Sequence, residues 1–326
     1  MKQRTLGKSD ILVSEAGLGC WQLGGDFGPV EGERAEAVLR AALEAGIDFW
    51  DTADVYGAGL SESRIGEFVR KHAADVTIAT KVGRDGELYP TGYTRRKVRA
   101  SIEGSARRLG VEAVDLVQLH CVPPEVLYDG DLLAWMEDFQ RDGLVRAFGA
   151  SVETLEEAKF ACTHPDLASL QIIFNLFRQD AITELFPLAM EKNVGIIVRL
   201  PLASGVLAGK MHAGQTFADT DHRQYNRNGE AFSQGETFSG LPFETAVELA
   251  DALKPLVPEG MDLAQMAMRW ILDHPAVTTV IAGASRPDQV TRNAAASDLP
   301  ALGEALHAEL AAFYHQRVRE QIRVPV

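Results

Sequence analysis

Short apolar runs alternate with helical stretches along most of the chain, and this alternation constrains the fold more than any other feature. Eight predicted strands are each followed by a helix. Several strands are apolar throughout, as is typical of strands buried on both faces of a parallel sheet. Eight βα units in one chain favour a closed (β/α)₈ TIM barrel over an open doubly wound sheet.

The predicted elements follow one another without a linker, which indicates a single domain over residues 1–326. An N-terminal β-hairpin over Leu6–Val13 could cover the bottom of the barrel, and an extra C-terminal helix is predicted over Ala301–Arg319. The barrel strands are predicted at Ala16–Cys20, Ile47–Thr52, Val76–Val82, Val114–His120, Leu144–Ala150, Leu170–Asn175, Val194–Leu200 and Thr278–Ala282. The barrel helices are predicted at Glu33–Ala45, Glu62–His72, Arg95–Leu109, Asp131–Arg141, Leu155–Cys162, Glu184–Lys192, Leu263–Asp273 and Pro287–Ala296.

The segment Gly209–Leu241 breaks this alternation, because it contains five glycines and little periodicity. A long irregular segment inside a compact domain is usually functional or disordered. This one follows the seventh strand, at the end of the barrel where active sites lie. We expect it to select the substrate, together with the shorter loops Gly83–Gly92 and Cys121–Gly130.

The composition excludes several classes of protein. Acidic residues outnumber basic ones by 46 to 32, for a net charge of −14, which argues against a nucleic-acid partner. The three cysteines, Cys20, Cys121 and Cys162, show no metal-binding spacing and indicate a reduced, intracellular protein. A polar N-terminus and the absence of a membrane-length apolar run predict a cytoplasmic protein without a membrane partner.

Four polar residues stand at or just after the ends of three consecutive predicted strands. Asp51 lies at the end of the second strand and Tyr56 follows it, Lys81 lies at the end of the third, and His120 ends the fourth. Because the carboxyl ends of barrel strands meet at one mouth, we expect these side chains to converge there. We refer to these four residues as the tetrad.

The tetrad suits proton transfer to a carbonyl oxygen. A lysine ammonium near Tyr56 would stabilise its phenolate and lower its pKa, and Asp51 would hold Lys81 in place. His120 could orient the carbonyl, and Tyr56 could protonate the alkoxide that hydride addition creates. Taken singly, the four residues could be a cap, a solvated charge, a core histidine and a packing tyrosine, but their joint placement favours an active site.

The motifs around the tetrad resemble those of the aldo-keto reductase family. They read Gly-Ile-Asp-Phe-Trp-Asp-Thr-Ala-Asp-Val-Tyr-Gly over Gly46–Gly57, Ala-Thr-Lys over Ala79–Lys81, and Leu-Val-Gln-Leu-His over Leu116–His120. The resemblance extends from Arg4 to Asn293. It implies the (β/α)₈ fold, NADPH as cofactor, and metal-free reduction of a small-molecule carbonyl substrate, an aldehyde or a ketone.

The resemblance also implies where the nicotinamide binds. Ser151 and Gln171 match the family's positions for its carboxamide, although Val152 stands where the family usually has Asn. Arg199 replaces an aromatic residue that stacks on the ring in many relatives. A planar guanidinium can also stack, but its fixed charge could disfavour hydride departure. Trp21 is included among the candidate cofactor-binding residues. Its side chain could line the substrate pocket or could only pack against neighbouring side chains.

Two further segments match the family's positions for the rest of the cofactor. The exit of the seventh strand would face the pyrophosphate, and a strand-to-helix turn near the C-terminus would hold the adenosine phosphate. In that turn Arg286 could pair with a 2′-phosphate, which favours NADPH over NADH, or could be a plain surface arginine. The matching residues are Pro201, Leu202, Ser204, Gly205 and Lys210 in the first segment, and Gly283, Ser285, Arg286, Gln289 and Asn293 in the second.

Other enzyme classes lack their motifs here. There is no G-x-G-x-x-G dinucleotide fingerprint, no H-E-x-x-H metal site, and no G-x-S-x-G around Ser204. Two alternatives to carbonyl reduction stay open: NAD(P)⁺-dependent oxidation of a sugar or alcohol, and a non-catalytic, cofactor-sensing regulatory subunit. The sequence also leaves open the physiological substrate and whether the chain forms a homo-oligomer.

Overall fold

Within residues 1–25, 28 and 30–325, which the computed structural model describes, eight parallel strands close into a barrel. The last strand pairs with the first, so the sheet has no free edge. The predicted (β/α)₈ barrel is therefore confirmed. In chain order the strands are the hairpin pair β1 (Gln3–Thr5) and β2 (Leu12–Ser14), then β3 (Ala16–Gly19), β4 (Phe49–Asp51), β5 (Thr77–Val82), β6 (Val114–His120), β7 (Val145–Ser151), β8 (Ser169–Ile173), β9 (Gly195–Arg199) and β10 (Val277–Gly283).

Helices surround the barrel and bury their apolar sides against the strands, which forms the main core. Local sequence explains their ends: the helix at Arg95–Leu109 begins where the Thr94 side chain accepts the Lys97 amide and ends at left-handed Gly110. The helices are α1 (Gly32–Glu44), α2 (Leu60–His72), α3 (Arg95–Leu109), α4 (Pro124–Tyr128), α5 (Asp131–Arg141), α6 (Leu155–Cys162), α7 (Ala181–Glu184), α8 (Phe186–Glu191), α9 (His222–Tyr225), α10 (Phe243–Leu253), α11 (Leu263–Leu272), α12 (Pro287–Ala294) and α13 (Glu304–Phe313).

The helical pattern departs from the predictions in several places. The helix predicted over Glu184–Lys192 is present as α8, with Pro187 in its first turn, where a missing N–H is tolerated, and an additional short helix, α7, precedes it. The sequence analysis missed α10 altogether, although apolar residues recur there at helical spacing. The predicted C-terminal helix is present as α13, which continues into a wider π turn over Tyr314–Val318.

The N-terminal hairpin closes the bottom of the barrel, as predicted. Its residues Leu6, Ile11 and Val13 are buried, and we call these three the barrel plug. Each buried aliphatic side chain contributes roughly 1.5–3 kcal/mol to folding. Gly7 is required in this turn, because its φ is +53° and a Cβ would lie 2.2 Å from the carbonyl oxygen of Ala168. The barrel plug packs on Phe49, Ala79, Leu116, Ala147, Ala168, Ile197 and Ile281 from the strands or their N-terminal approaches.

The opposite end of the barrel is open and carries the irregular segment after β9. Between β9 and α10 the chain forms only α9 and short 3₁₀ turns in the described residues. Much of the segment from Gly235 to Leu241 is nevertheless buried over the barrel mouth. It therefore belongs to the wall of the site.

Across residues 1–25, 28 and 30–325, no helix combines the length and apolar character needed to span a membrane.

Candidate active site

Lys81 is the centre of the polar cluster at the barrel mouth. Its ammonium donates to Asp51 Oδ1 at 2.5 Å, to the Thr52 carbonyl at 2.8 Å and to the Tyr56 hydroxyl at 3.2 Å. These three bonds use all three N–H groups. Burial is the largest single effect and opposes the charged form, but Asp51 and Tyr56 together outweigh it and raise the pKa of Lys81. The lysine is therefore a fixed cation beside the tyrosine oxygen.

Asp51 is held from its other side by two amides. Its Oδ2 accepts from Gln171 at 2.8 Å and from Gln118 at 3.1 Å. Gln171 also donates to Gln118 Oε1 at 3.2 Å, so all three buried side chains form one network. The sequence analysis missed Gln118, although a polar residue two positions before His120 in an apolar strand was a usable signal. Gln171, a carboxamide candidate, therefore also supports Asp51.

Tyr56 keeps its proton in this site. Burial raises the pKa of its phenol to about 12; the Lys81 charge acts in the opposite direction but is outweighed. This net direction is opposite to the one expected from the sequence, because the sequence shows the lysine but not the loss of water. The ammonium also lies 4.9 Å from the centroid of the tyrosine ring. The phenol is thus neutral at neutral pH and able to donate a hydrogen bond.

His120 faces Tyr56 edge to face, with ring centroids 6.0 Å apart and an interplanar angle of 86°. Burial, with the charges of Lys81, Arg84 and Arg199, holds the pKa of this histidine well below its usual range. Its imidazole is therefore neutral. His120 makes no hydrogen bond to any described residue, and its buried Nδ1 atom has no partner there. One ring N–H is consequently free to bind a ligand.

The tetrad lies at one end of a cavity of about 690 Å³. Asp51, Tyr56 and His120 line it directly, whereas Lys81 is reached through the first two. Most of the predicted cofactor residues share the same cavity, but exposed Lys210 and half-buried Asn293 do not line it. The predicted residues that line it are Trp21, Ser151, Gln171, Arg199, Pro201, Leu202, Ser204, Gly205, Gly283, Ser285, Arg286 and Gln289.

Trp21 and Ser151 lie on either side of the tetrad. The Trp21 ring is stacked on Tyr56 with centroids 5.7 Å apart and an interplanar angle of 20°. Ser151 ends β7, and its hydroxyl lies 3.7 Å from the Cys121 thiol. Both residues line the same cavity as Tyr56 and His120.

Arg199 is held by the irregular segment rather than left free. It forms an ion pair with Glu236 and donates to the Val152 carbonyl at 2.7 Å. Both partners of the ion pair are largely buried. Glu236 had no recognisable signal in the sequence, since it lies in a region without periodicity. The guanidinium therefore has a fixed orientation in the cavity wall.

The turn after β9 is held in an unusual backbone conformation. Leu200, Ala203 and Ser204 have positive φ angles, which non-glycine residues rarely adopt. The Ser204 hydroxyl donates to the Glu236 carbonyl at 3.2 Å and accepts the Phe238 amide at 3.1 Å. Such strain is found where the surrounding structure enforces it, often at ligand sites.

The other end of the cavity lies at the start of α12. Gln289 Oε1 accepts from the Ser285 amide at 2.8 Å and from the Arg286 amide at 3.1 Å, so these N–H groups have an internal partner. Arg286 is exposed and forms an ion pair with Asp288 at 2.9 Å. A Cβ at Gly283 would lie 2.0 Å from Gln22 Nε2, so glycine allows Gln22, which the sequence analysis missed, to line the cavity.

An acidic residue behind the tetrad has an unusual environment. Asp54 is 8% exposed, and its Oδ2 accepts from Ser101 at 3.1 Å, while Oδ1 has no hydrogen-bond partner among the described residues. Burial, with the nearby charges of Glu62 and Asp85, raises the pKa of Asp54 to about 7. The sequence analysis did not single out this residue.

The described residues contain no group of three or more His, Cys, Asp or Glu side chains placed to hold a metal ion.

A profile of the aldo/keto reductase family matches residues 15–315. The chain belongs to this family. Its predicted membership, made from the tetrad motifs, is confirmed.

Relatives with known names share most of the chain. The D-threo-aldose 1-dehydrogenase of Pseudomonas is 30% identical, covering 92% of this chain and 94% of the relative. A probable voltage-gated potassium channel subunit beta of Oryza sativa is 29% identical and covers 92% of each chain. The holo form of aldo-keto reductase AKR11C1 from Bacillus halodurans superposes with a TM-score of 0.79 at 27% identity, covering 99% and 100% of the two chains.

Aldo/keto reductases bind nicotinamide cofactors and act on small carbonyl compounds. The chain is accordingly an NAD(P)H-dependent oxidoreductase. The cavity fits such a cofactor, because its lining includes both the tetrad residues Tyr56 and His120 and the exposed guanidinium of Arg286 at the start of α12.

Proposed function

We propose that this protein reduces aldehydes and ketones with NADPH, and that Tyr56 donates the proton. One observation carries the proposal: the Tyr56 hydroxyl lies 3.2 Å from a buried ammonium that a carboxylate fixes in place. The nicotinamide, when bound, supplies the hydride to the carbonyl carbon. Side chains of this protein carry out the proton transfer and orient the carbonyl.

Tyr56 acts as the general acid. Its pKa of about 12 keeps the phenol protonated before the reaction, so a proton is available for the alkoxide. As the proton leaves, the Lys81 ammonium stabilises the phenolate oxygen across their 3.2 Å contact. Asp51 keeps the lysine charged throughout. Lys81 thus stabilises the product of the transfer without giving up its own proton.

His120 positions the carbonyl. Since its imidazole is neutral, one ring nitrogen carries a hydrogen that can be donated to the carbonyl oxygen. A second donor beside Tyr56 would place that oxygen between two N–H or O–H groups. This arrangement stabilises negative charge on the oxygen as hydride arrives.

Twelve residues of the cavity lining, together with Lys210 and Asn293 outside it, would hold the cofactor along its length. Ser151 and Gln171 would contact the nicotinamide carboxamide, with Arg199 against the ring and Trp21 beside the substrate. Pro201, Leu202, Ser204, Gly205 and Lys210 would follow the pyrophosphate. Gly283, Ser285, Arg286, Gln289 and Asn293 would surround the adenosine phosphate. The exposed Arg286 supports a preference for NADPH, since it could exchange Asp288 for a 2′-phosphate.

The test compares wild type with Tyr56→Phe in the oxidation of NADPH by benzaldehyde, followed by absorbance. We expect kcat to fall by roughly 10²- to 10⁴-fold, with the NADPH dissociation constant unchanged. Tyr128→Phe, which alters an exposed tyrosine outside the site, is the matched control and should keep wild-type kcat. Full activity of Tyr56→Phe would overturn the role of this residue, and wild-type protein that binds no nicotinamide cofactor would overturn the proposed function.

The oxidative direction is the second candidate, favoured by the 30% identity to a protein named D-threo-aldose 1-dehydrogenase. Oxidation requires Tyr56 as a phenolate. With a pKa of about 12, the phenolate fraction rises tenfold per pH unit through the neutral range. An oxidation rate that is already maximal at neutral pH would therefore favour the dehydrogenase over the reductase. The intact tetrad supports catalysis over a purely regulatory role.

A further inference from the structure

One arginine in the cavity wall makes fewer hydrogen bonds to described residues than the others. Arg84, Arg199, Arg223 and Arg286 line the cavity in the described part of the chain. Arg199 donates to a main-chain carbonyl, and Arg223 and Arg286 each donate to a neighbouring carboxylate. Arg84 makes no hydrogen bond to any described residue. Its contacts are an ion pair with Glu153 at 3.5 Å and the ring of Tyr89 at 5.1 Å.

The backbone before Arg84 is fixed. Gly83 has a φ of +126°, and a Cβ there would lie 2.8 Å from Val122 Cγ1, so this position requires glycine. The Gly83 carbonyl accepts a hydrogen bond from the Tyr93 hydroxyl at 2.7 Å. The Tyr89 ring, against the guanidinium, restricts it further. Arg84 is therefore held in place by its surroundings, yet apart from the ion pair with Glu153 its N–H groups have no hydrogen-bond acceptor among the described residues.

Arg84 also lies close to the reacting end of the cavity. It lines the same cavity as Tyr56 and His120, and its charge contributes to the low pKa of His120. The Arg84 side chain is 18% exposed, so its guanidinium can be reached from the cavity. A ligand bound to Tyr56 and His120 through its carbonyl oxygen would have this cation nearby.

We propose that Arg84 binds an anionic group of the substrate, so that the preferred substrates are aldehydes or ketones carrying a carboxylate or a phosphate. The proposal rests on the carbonyl reduction proposed above and adds the substrate class. A guanidinium has five N–H donors and binds such anions through two parallel hydrogen bonds.

Glu153 does not prevent this binding. The Glu153 carboxylate lies 3.5 Å from Arg84 Nη1, which is longer than a typical N–H···O hydrogen bond, so the ion pair between them is a weak one. The net charge of −14 does not attract anions over long range, and such fields are screened beyond about 8 Å at physiological salt. Attraction of an anionic substrate must therefore come from a cation inside the cavity.

The test uses three aldehydes that differ at one position: 4-carboxybenzaldehyde, its methyl ester and 4-formylphenyl phosphate. The measured quantity is the ratio of kcat/KM between each anion and the neutral ester, for wild type, Arg84→Gln and Arg84→Lys. We expect wild type to favour at least one anion, and Arg84→Gln to lower that ratio by roughly 10- to 100-fold, mainly through KM. Arg84→Lys should restore part of the ratio. Arg146→Gln, which removes a 63%-exposed arginine from the barrel surface, should leave the ratio unchanged.

The outcomes separate this proposal from the one it rests on. A preference for the carboxylate or for the phosphate that depends on Arg84 supports the proposal and identifies the anion. A wild-type ratio near one, or an equal loss on all three aldehydes in Arg84→Gln, overturns it and leaves the reductase intact. If wild type reduces none of the three, the proposed function fails, and this proposal fails with it.

Discussion

The Lys81 ammonium and the Asp51 carboxylate lie 2.5 Å apart, with only 1% and 2% of their side chains exposed. Removing one partner of a buried pair leaves the other as an uncompensated charge. Here the lysine of the pair also donates to the Tyr56 hydroxyl at 3.2 Å. Stability and proton transfer are therefore coupled at this point of the barrel.

Asp51→Asn should reveal this coupling. The amide keeps the shape of the side chain but leaves Lys81 without a counter-charge, so we expect a loss of roughly 3–5 kcal/mol in the free energy of unfolding and a lower kcat. Urea denaturation at neutral pH measures the first. Asp138→Asn removes a 40%-exposed carboxylate in a surface pair and should cost less than about 1 kcal/mol. Equal stability of the two variants would contradict the buried-pair interpretation.

The reductase should show little pH dependence around neutrality. Tyr56 is protonated until its pKa of about 12, and His120, with its pKa well below the usual range, is already neutral. We expect kcat for a neutral aldehyde to be flat between about pH 6.5 and about pH 9, where neither group titrates. The profile is measured for wild type and His120→Gln. An inflection near neutrality that disappears in the variant would show that His120 titrates there after all.

Asp54 should make the protein less stable as pH rises. In the unfolded chain its carboxyl ionises near its ordinary pKa of 3.8, whereas in the folded chain it holds its proton up to about pH 7. Between these values the folded state binds more protons, so its stability falls with increasing pH. Relative to Asp54→Asn, wild type should lose roughly 2–4 kcal/mol between about pH 4 and about pH 8.

Denaturant titrations of wild type and Asp54→Asn at several pH values measure this difference. Because all other groups are common to both proteins, their contributions cancel in the comparison. Asp129→Asn, which changes an exposed carboxylate, is the matched control. Its free energy of unfolding should vary with pH in parallel with that of wild type. Parallel curves for Asp54→Asn and wild type would mean that the folded carboxyl has an ordinary pKa.

Cofactor preference should depend on Arg286. If Arg286 binds the 2′-phosphate, Arg286→Ala should raise the dissociation constant of NADPH by roughly 10- to 100-fold and leave that of NADH almost unchanged. Fluorescence titration with each cofactor measures both dissociation constants. Arg292→Ala, a 45%-exposed arginine on the same helix, should change neither. Equal weakening of both cofactors would assign Arg286 to another part of the site.

The sequence was sufficient for the barrel and for the tetrad because both follow from periodic patterns. Apolar parallel strands are recognisable by themselves, and the ends of such strands must meet at one mouth. Asp51, Lys81 and His120 could therefore be placed together before any coordinates were known. Gln118 was within reach of the same reasoning, since it is a polar residue inside an apolar strand.

Other features depend on contacts that no local pattern shows. Glu236 meets Arg199 only because the irregular segment folds back over the barrel mouth. Arg84 stands out among the arginines of the cavity wall because it makes no hydrogen bond to any described residue, and no sequence pattern shows this. The direction of the Tyr56 pKa shift depends on how much water the fold removes, and burial exceeds the effect of the visible lysine.

The hairpin that closes the barrel bottom has a consequence for how the chain is made. Leu6, Ile11 and Val13 are synthesised before every barrel strand, but the last of their apolar neighbours, Ile281, comes some 270 residues later. Arg4 likewise donates to the carbonyl of Val277 at 2.6 Å. The barrel plug is therefore not fully covered until the last strand has been made, which gives chaperones that shield nascent chains a long interval in which to act.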